Sequence, residues 1–452
     1  MTSHIKSMTE GKPASLIFSF ALPLMAGNVF QQLYTVVDTM VVGKAIGVGA
    51  LAALGAADWL NWMMLGIIQG FTQGFGILMA QEFGAGRYDN LRRSIGNSAI
   101  LSLLSSLILL GLGQLLARPI LTLLQTPPEI LPDALLYLRI MYIGIPVVMA
   151  YNLSASVLRS LGDGRTPLHA MIVAATTNIG LDLLFVLVFH LGIAGAAAAT
   201  LIAQLISSLF CLYHIRRIDI LAFEKNDFSL RDRRLSLRLL MLGFPMAFQN
   251  AIISIGGMIV QFVVNGFGVI FIAGFTATNK LYGVLEVAAT SYGYSMVTYA
   301  GQNLGAGRTD RIRRGMRSAV LISLLTSLVI TLLMIFAGKL ILGCFISGTP
   351  EEFEQTLAIA YYYLAVMSIC LPILYILHIT RSAIQGMGNT ILPLASGIAE
   401  FIMRTVSAVF LPMLIGENGI FYAEIMAWTG AVIILIISYF AVIRRTERMI
   451  SH

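Results

Sequence analysis

The sequence predicts an all-α integral membrane protein with twelve transmembrane helices in two parallel six-helix lobes. Three observations support this fold class: an apolar composition, twelve separate apolar stretches and an internal repeat. Hydrophobic residues make up 58% of the 452 residues and charged residues only 11%, and the mean hydropathy is +0.85. Soluble domains are about 45–50% apolar. So few charges could not cover the core of a soluble chain this long, which favours a membrane protein.

Each apolar stretch is about 20 residues or longer, which is the length a helix needs to cross a bilayer. Six stretches fall in each half of the chain. The second and the eighth are longer than a perpendicular span requires, so we expect them to be tilted. In chain order, the predicted spans are 15–42, 50–80, 95–117, 134–158, 167–189, 193–213, 237–265, 271–299, 315–337, 356–380, 393–414 and 419–443.

The internal repeat is visible in two pairs of turns. In the first pair, Gly-Ala-Gly ends an apolar segment and a basic turn follows; the copies begin at Gln81 and Gln302, which are 302 − 81 = 221 residues apart. In the second pair, Gly162 and Gly388 are 388 − 162 = 226 residues apart. One pair of glycine-rich turns could match by chance. Two pairs in the same order at nearly the same offset indicate a duplication.

The basic residues predict the orientation. If the N-terminus is cytoplasmic, the inside segments collect most of the 29 Lys and Arg residues, and the outside segments hold only Lys44, Arg118 and Lys339. This bias predicts that both termini are cytoplasmic in a multi-pass protein of the cytoplasmic (inner) membrane. An even number of spans before the charged connector makes the two halves parallel. The predicted parts are an N-terminal six-helix lobe over 1–214, a cytoplasmic connector over 215–236 and a C-terminal six-helix lobe over 237–452.

Three features of the chain together resemble one known family. They are the two Gly-Ala-Gly-Arg turns, Phe20-Ala21-Leu22-Pro23 with Gln31, Gln32, Tyr34 and Asp38 downstream, and Arg159-Ser160-Leu161-Gly162-Asp163. The family they resemble is the multidrug and toxic compound extrusion (MATE) family of cation-coupled exporters. The similarity covers nearly the whole chain and implies a MATE-like fold that exports small organic molecules by alternating access.

Acidic residues within the predicted spans are the first candidates for function. An ionised carboxylate at the bilayer centre costs at least about 2.5–3.5 kcal/mol, so each needs a partner, a water-filled cavity or a proton. The acids identified in this way are Asp38, Asp182, Glu286, Glu400 and Glu424.

Asp38 and Asp182 are the best candidate pair for a cation site. A helical rise of about 1.5 Å per residue places Asp38 roughly 30 Å and Asp182 roughly 22 Å from the cytoplasmic side, and Thr200 about 10 Å from the outer side. All three therefore fall in the outer half of the membrane, and Asn178 shares a helix face with Asp182. These hard oxygen ligands suit Na⁺, or a proton shared by two acids that cannot both ionise cheaply.

The resemblance implies the same group as the cation-coupling site. It carries that role onto Asp38, Asn178, Asp182 and Thr200, and also onto Asn152, which we place nearer the cytoplasm. The alternative is hydrogen bonding between helices, and we favour it for Thr200 and Asn152 taken alone. Asp38 and Asp182 have no evident basic partner, so for them we favour function. No cofactor is expected, and no metal beyond a possible Na⁺ at Asp38 and Asp182.

Pro23 lies on the same predicted span as Asp38 and removes one backbone hydrogen bond, which permits a kink. The alternative is a static bend, which is common in membrane helices and which the sequence does not exclude. In the family this proline is associated with bending of the first helix, so we expect bending near Pro23 to be coupled to protonation of Asp38.

The C-terminal half does not repeat this constellation. Glu400 and Arg404 are four residues apart and are predicted to pair within their helix. Glu286 is the stronger functional candidate, and the role of Glu424 is open. The sodium-coupled branch of the family is expected to have acids in spans seven and ten. Their absence here favours coupling in the N-terminal lobe, with protons preferred over sodium.

We expect a substrate cavity between the lobes, lined by apolar, aromatic and Met-rich side chains that suit amphipathic organic cations. Most of these residues, taken singly, are ordinary packing residues. The candidates are Gln31, Tyr34, Met63, Met64, Gln69, Phe71, Met258, Gln261, Tyr282, Glu286 and Met296.

The sequence therefore predicts a cation-coupled antiporter that exports drug-like or toxic organic compounds from the cell. The alternative is a flippase for a lipid-linked saccharide or another lipid, which would need a more basic cavity than Arg139, Lys280 and Arg404 provide. An enzyme is not expected, because no catalytic triad, paired-His metal motif or phosphate loop is present. Nor is a nucleic-acid partner, because the basic residues punctuate apolar runs and form no patch. We expect a monomer.

Overall fold

The computed structural model describes residues 5–344, 346 and 349–451, and within them the regular secondary structure is entirely helical. Seven α-helices form in each half of the chain. The helices of the first half are α1 Pro13–Ala45, α2 Val48–Gly84, α3 Tyr88–Leu123, α4 Leu131–Ile143, α5 Ile145–Ser160, α6 Arg165–Asp182 and α7 Gly192–Ile215. Those of the second half are α8 Arg233–Val264, α9 Val269–Gly305, α10 Thr309–Gly343, α11 Pro350–Ile369, α12 Leu371–Gly386, α13 Ile391–Ile415 and α14 Ala423–Ser451.

Eleven segments within the described residues are long and apolar enough to cross a membrane. Nine are single helical segments, and two are pairs of helices joined at a sharp bend. The remaining predicted span corresponds to α9, whose 37 residues extend about 55 Å at 1.5 Å per residue. Its polar residues, including Asn279, Lys280 and Glu286, lower its mean hydropathy.

The fourth and tenth predicted spans, 134–158 and 356–380, are broken helices rather than continuous ones. The axis bends by 50° between α4 and α5 and by 48° between α11 and α12. Pro146 and Pro372 stand at the start of the second helix in each pair. A proline lacks the N–H that would continue the helical ladder and clashes with the preceding turn. The two breaks are 372 − 146 = 226 residues apart, the offset of the second repeated turn.

The repeated glycine turns are confirmed as helix ends. Gly86 and Gly307 follow α2 and α9 with φ values of 70° and 71°, and Gly162 and Gly388 follow α5 and α12 with φ values of 80° and 85°. A positive φ is nearly free of steric cost only for glycine. The duplicated sequence signal therefore marks positions where the backbone must turn left-handed in both halves.

The chain divides into two compact units. The first unit comprises Leu22–Phe248 and the N-terminal residues up to Ser7; the second comprises Met8–Ala21 and Gln249–His452. This division differs from the predicted lobe boundaries at two places. The first residues of α1 group with the second unit, and the first part of α8 groups with the first unit.

Corresponding helices pack in the same pairs within each unit. In the first unit, α6 packs on α7, α2 on α5, α5 on α7 and α2 on α3. In the second unit, α13 packs on α14, α9 on α12, α12 on α14 and α9 on α10. The duplication therefore extends from the turns to the internal packing of the units.

A close helix contact in the first unit depends on small residues. On α2, Gly70 and Gly74 are four residues apart and lie against Ala247 and Gly243 of α8. A Cβ built on Gly74 would lie 2.4 Å from the Cα of Gly243. Small residues spaced by four let two membrane helices approach closely and gain van der Waals contact.

Replacing Gly74 with alanine is expected to destabilise the protein by about 1–3 kcal/mol, because the added methyl group forces two backbones apart. The matched control is Gly55→Ala on the same helix, where the same Cβ meets nothing within 4 Å. That control should match or exceed wild-type stability, since alanine favours a helix by about 1 kcal/mol over glycine. The apparent melting temperature of the purified protein reports both effects, and equal values for the two variants would contradict the contact.

Candidate functional site

Asp38 and Asp182 are brought together in the interior of the first unit. Asp38 lies on the second half of α1 and is 8% exposed, and Asp182 is the last residue of α6 and is fully buried. Directly after Asp182 the backbone changes from α-helix to a π-helical segment, Leu183–Val188. Such local departures from the α-helix are frequent at functional sites.

The two carboxyl groups interact directly with each other. Apart from this mutual contact, Oδ1 of Asp38 and both carboxyl oxygens of Asp182 accept no hydrogen bond from the part of the chain that the structure describes, despite their burial. Buried polar atoms nearly always have a hydrogen-bond partner. Three unsatisfied oxygens in one place are therefore an exception that packing alone does not explain.

Asn178 and Thr200 complete this group. Asn178 is fully buried one helical turn before Asp182, and its Nδ2 donates to the Thr200 hydroxyl at 3.4 Å. The Thr200 hydroxyl donates in turn to the Ala196 carbonyl at 3.2 Å. The Asn178 Oδ1 has no partner within the described residues, so it is a fourth unsatisfied oxygen, one helical turn before Asp182.

This arrangement can hold a small cation or a proton. Two ionised carboxylates in contact repel each other, and burial in a low dielectric raises that cost. A proton shared between them removes one charge and supplies a donor, and a small hard cation would compensate both charges through oxygen ligands.

Of the other candidates in the first unit, Gln31 and Tyr34 lie beside this group and Asn152 does not bond to it. The Tyr34 hydroxyl is hydrogen-bonded by the side chains of Gln31 and Gln204 and interacts electrostatically with Asp38. The Asn152 amide donates to the Val148 carbonyl of its own helix at 2.9 Å. Its contact is thus the intrahelical bond typical of a structural residue.

Three further residues adjoin the group and were missed by the sequence reasoning: Asp58, Tyr137 and Gln204. Asp58 interacts electrostatically with Asp38, and Tyr137 with both acids of the pair. Gln204 had a detectable signal, because it lies four residues after Thr200 on the same helix face. Asp58 lies inside the second predicted span, 50–80, and belongs among the acidic residues within the predicted spans. Nothing local distinguishes Tyr137.

The remaining cavity candidates are distributed over both units. In the first unit, Met64 is buried, Met63 and Gln69 are half-buried, and Phe71 packs against the Phe75 ring. In the second unit, the Gln261 amide donates to Asn265 at 2.8 Å, the Tyr282 ring stacks on Trp428 with centroids 6.0 Å apart, Met258 is half-buried and Met296 is fully buried.

The predicted ion pair on α13 is confirmed and is part of a larger buried network. Arg404 donates to Glu400 at 3.0 Å and to Glu424 at 2.7 Å, and Arg381 donates to the other oxygen of Glu400 at 2.6 Å. Arg381 follows the end of the predicted span 356–380, but it lies within α12 and is 8% exposed. Glu286 pairs separately with His378, Nε2 to Oε1, at 3.3 Å.

Two expectations concern features outside these clusters. Pro23 lies inside α1, which continues as one helix from Pro13 to Ala45 around it.

Among the described residues, no group of three or more His, Cys, Asp or Glu side chains has a geometry that could hold a metal ion.

Comparison with known proteins gives a family match and related chains. The family model MatE matches residues 23–184 and 245–410. The chain is 31% identical to the probable multidrug resistance protein YpnP of Bacillus subtilis (strain 168), over 67% of this chain and 68% of that protein. It is 28% identical to the probable multidrug resistance protein YoeA of the same organism, over 77% of this chain and 75% of that protein.

Solved structures of similar fold cover almost the whole chain. An outward-facing multidrug resistance MATE family transporter of the MOP superfamily matches with a TM-score of 0.90 at 21% identity, over 97% of this chain and 98% of that one. A MATE structure in a bent conformation matches with a TM-score of 0.88 at 20% identity, over 98% of both chains. The predicted fold class of twelve transmembrane helices is thereby confirmed.

Proposed function

Because this chain belongs to the MatE family of multidrug efflux transporters, we propose that it exports amphipathic organic cations in exchange for cations that move inward. Members of this family are transporters and not enzymes, and the chain is a multi-pass membrane protein. The direction of exchange, the coupling ion and the class of substrate are the parts of this statement that we propose.

One observation carries the proposed coupling. Four buried oxygen atoms, on the interacting pair Asp38 and Asp182 and on Asn178 one helical turn before Asp182, have no hydrogen-bond donor elsewhere in the described residues. An exporter needs a site that binds and releases a cation in each cycle, and these oxygens would have their acceptor capacity satisfied only when a cation or proton is present. We propose that this group is the coupling site and that the proton is its ion.

The preference for a proton rests on how the two acids are placed. Their carboxyl groups already interact with each other, so a single proton can bridge them without rearrangement. A sodium ion would need several oxygens held at coordination distance, whereas a proton needs only the two carboxyl groups, and Asn178 has a further bond that fixes its amide, from Nδ2 to Thr200. Thr200 would position the amide, while Asn152 would serve only as a structural residue.

The preference for organic cations rests on charge and aromatic character. The coupling group carries acids at Asp38, Asp58 and Asp182, and the Tyr34 and Tyr137 rings adjoin it. Acidic and aromatic groups together favour cations with apolar bodies. The multidrug resistance names of YpnP and YoeA agree with such substrates, and they do not favour the flippase alternative for a lipid-linked saccharide.

We further propose that the cycle uses the bend permitted by Pro23. Pro23 and Asp38 lie fifteen residues apart on α1, so a change at one can reach the other through a single helix. Protonation of Asp38 removes its charge and with it the repulsion from Asp182, which changes the preferred position of that half of α1.

The variant Pro23→Ala is expected to slow coupled efflux severalfold, because alanine restores the missing backbone hydrogen bond and stiffens the helix. Pro119→Ala, at a proline inside α3, is the matched control and should keep the wild-type rate. The measurement is the initial rate of ethidium efflux from proteoliposomes. A Pro23→Ala protein that transports at the wild-type rate would show that bending there is dispensable.

The experiment that tests the proposed function uses the purified full chain in proteoliposomes loaded with ethidium. We expect efflux when a pH gradient is imposed and none when a sodium gradient is imposed at equal pH. Efflux driven by sodium alone would overturn proton coupling but keep the exporter. No transport of ethidium or tetraphenylphosphonium under either gradient, by protein that is demonstrably folded, would overturn export of organic cations.

The remaining proposals concern the location, orientation and oligomeric state of the protein. We propose that the protein resides in the cytoplasmic membrane with both termini inside, as its basic loop residues favour. It would act as a monomer and need no cofactor beyond the coupling ion.

A further inference from the structure

A second group of buried charges lies inside the second unit, and its members differ in how well they are compensated. Glu400 receives two guanidinium groups, at 2.6 and 3.0 Å, and Glu424 receives one, at 2.7 Å. Glu286 is paired with an imidazole, that of His378 at 3.3 Å. The members of this charged cluster are Glu286 on α9, His378 and Arg381 on α12, Glu400 and Arg404 on α13, and Glu424 on α14.

The net charge of this charged cluster depends on His378. Three carboxylates face two guanidinium groups, so the cluster carries one negative charge when the imidazole is neutral and none when it is protonated. Arginine stays charged at every physiological pH, whereas histidine changes its charge between about pH 5 and 8. The uncompensated charge falls on Glu286, because the two guanidinium groups already pair with Glu400 and Glu424.

The charged and titratable side chains near His378 lie on α9, α12, α13 and α14. Glu286 and Tyr282 lie on α9, Tyr375 and Arg381 share α12 with His378, and Glu400 interacts with the imidazole from α13. Arg404 on α13 and Glu424 on α14 complete the set through the ion pair that joins them.

Glu286 is also the accessible acid of the charged cluster. Its side chain is 33% exposed, compared with 17% for Glu424 and 5% for Glu400. Tyr282 lies one helical turn before Glu286 on the same face of α9, interacts electrostatically with it, and stacks on Trp428 of α14. An accessible carboxylate beside a fixed aromatic ring is a suitable partner for an organic cation with an apolar body.

The internal repeat relates this place to the proposed coupling group. At the offset of 226, His378 corresponds to Asn152 and Arg404 to Asn178, since 378 − 152 = 226 and 404 − 178 = 226. Where the first unit has neutral amides at these two positions, the second unit has basic side chains that pair with acids. The duplicated helices therefore carry side chains of different charge at matching positions in the two units.

We propose that Glu286 and Tyr282 bind the cationic group of an organic cation within the second unit, and that a proton on His378 competes with that cation for the Glu286 carboxylate. This inference rests on the proposed export of organic cations and names one of its binding groups. With a neutral imidazole, Glu286 is free to attract the substrate. With an imidazolium 3.3 Å away, its charge is neutralised by an internal ion pair and the substrate loses its partner.

The test measures binding of tetraphenylphosphonium to the purified full chain by titration calorimetry from pH 5.5 to pH 8. Wild-type protein should bind on the order of tenfold more weakly at pH 5.5 than at pH 8, because an imidazolium at His378 would compete with the organic cation for the Glu286 carboxylate. Titrations in buffers of different ionisation enthalpy should also show proton release on binding at pH 6.5.

Four variants identify the source of this pH dependence. His378→Gln, whose amide cannot take a proton, should bind at pH 5.5 markedly more tightly than wild type and release fewer protons. Glu286→Gln should weaken binding at pH 8 by tenfold or more, and Glu286→Asp should restore part of it. His214→Gln is the matched control, since its ring nitrogen contacts the Phe210 carbonyl of its own helix in the first unit, and it should behave as wild type.

The outcomes separate this inference from the function on which it rests. If wild type binds and exports the cation but His378→Gln keeps the full wild-type pH dependence and proton release, the competition is refuted and the exporter stands. Wild-type affinity in Glu286→Gln at pH 8 refutes the binding group. If Glu286→Gln does not fold, His378→Gln alone decides. Wild type that neither binds nor exports any organic cation refutes the proposed function, and this inference with it.

Discussion

Efflux of ethidium driven by a pH gradient is expected to fall to the leak rate of protein-free vesicles when Asp38 is replaced by asparagine. Asparagine keeps the size of the side chain but can neither ionise nor exchange a proton. The partner acid, Asp182, would then face a neutral amide and lose the like charge that makes protonation favourable. The proton could no longer be taken up and released in step with the substrate, so the gradient would not drive transport.

The matched control for this variant is Asp89→Asn. Asp89 is also an acid on a helix, but its side chain is 80% exposed and pairs with Arg92. It should transport at the wild-type rate. Size-exclusion profiles and melting temperatures of both variants establish that they are folded, and the removal of a buried charge at Asp38 should not lower stability. Full coupled efflux by a folded Asp38→Asn protein would disprove the coupling site.

Two further variants in the same experiment test whether Asp38 and Asp182 take part in the same step of transport. Asp182→Asn should give the same phenotype as Asp38→Asn, and the double variant should be no worse than either single one. Residues that share one step show such non-additive losses. Partial and additive losses would instead indicate that each acid has a separate role.

Replacing Glu400 with glutamine is expected to cost about 3–5 kcal/mol of stability, the cost typical of removing one partner of a buried ion pair. Glu400 is 4% exposed and holds both Arg381 and Arg404. Arg404 would keep Glu424, but Arg381 would lose the carboxylate with which it pairs and be left as a buried charge. We expect a lower melting temperature and a lower yield of folded protein.

The rescue variant separates charge pairing from packing. Arg381→Leu combined with Glu400→Leu removes both charges of one pair and should recover most of the lost stability, because apolar replacements of a buried pair are often neutral or better. The surface control is Glu447→Gln, whose pair with Arg313 is 33% and 46% exposed. Exposed pairs are worth about 0–1 kcal/mol. A Glu400→Gln protein as stable as this control would refute the structural importance of the network.

The two units thus differ in whether their intramembrane acids are paired with basic side chains. In the first unit, the two facing acids have no buried basic partner in the contacts described above, and several of their oxygens are unsatisfied. In the second unit, guanidinium groups neutralise two of the three acids. A site that must exchange ions benefits from incomplete compensation, whereas a compensated network holds helices together. The first unit is accordingly the more suitable place for coupling.

Much of the fold follows from the sequence because its signals are local. Bilayer-length apolar runs depend only on composition, and the glycines at 86, 162, 307 and 388 are required by a backbone conformation within a single turn. The Glu400 and Arg404 pair could also be predicted, since residues four apart on a helix are neighbours in any context. The candidates Asp38 and Asp182 followed from the cost of placing acids in a membrane.

What only the tertiary structure decided depends on contacts between distant helices. The bends at Pro146 and Pro372 were missed because a proline in a membrane helix can be accommodated without a break. The ion pair of Arg381 with Glu400 and the electrostatic interaction of Asp58 with Asp38 join residues of different helices. The predicted spans left Arg381 in a loop, and the search for acids within the spans overlooked Asp58. The pairing of Glu286 with His378 likewise requires α9 and α12 to pack together. The sequence by itself determined the spans, the repeat and the candidate acids, because helix length, turns and desolvation costs are properties of short segments. Which acids stay unpaired was decided by helix packing, because compensation of a charge depends on which side chains of other helices lie within about 4 Å of it.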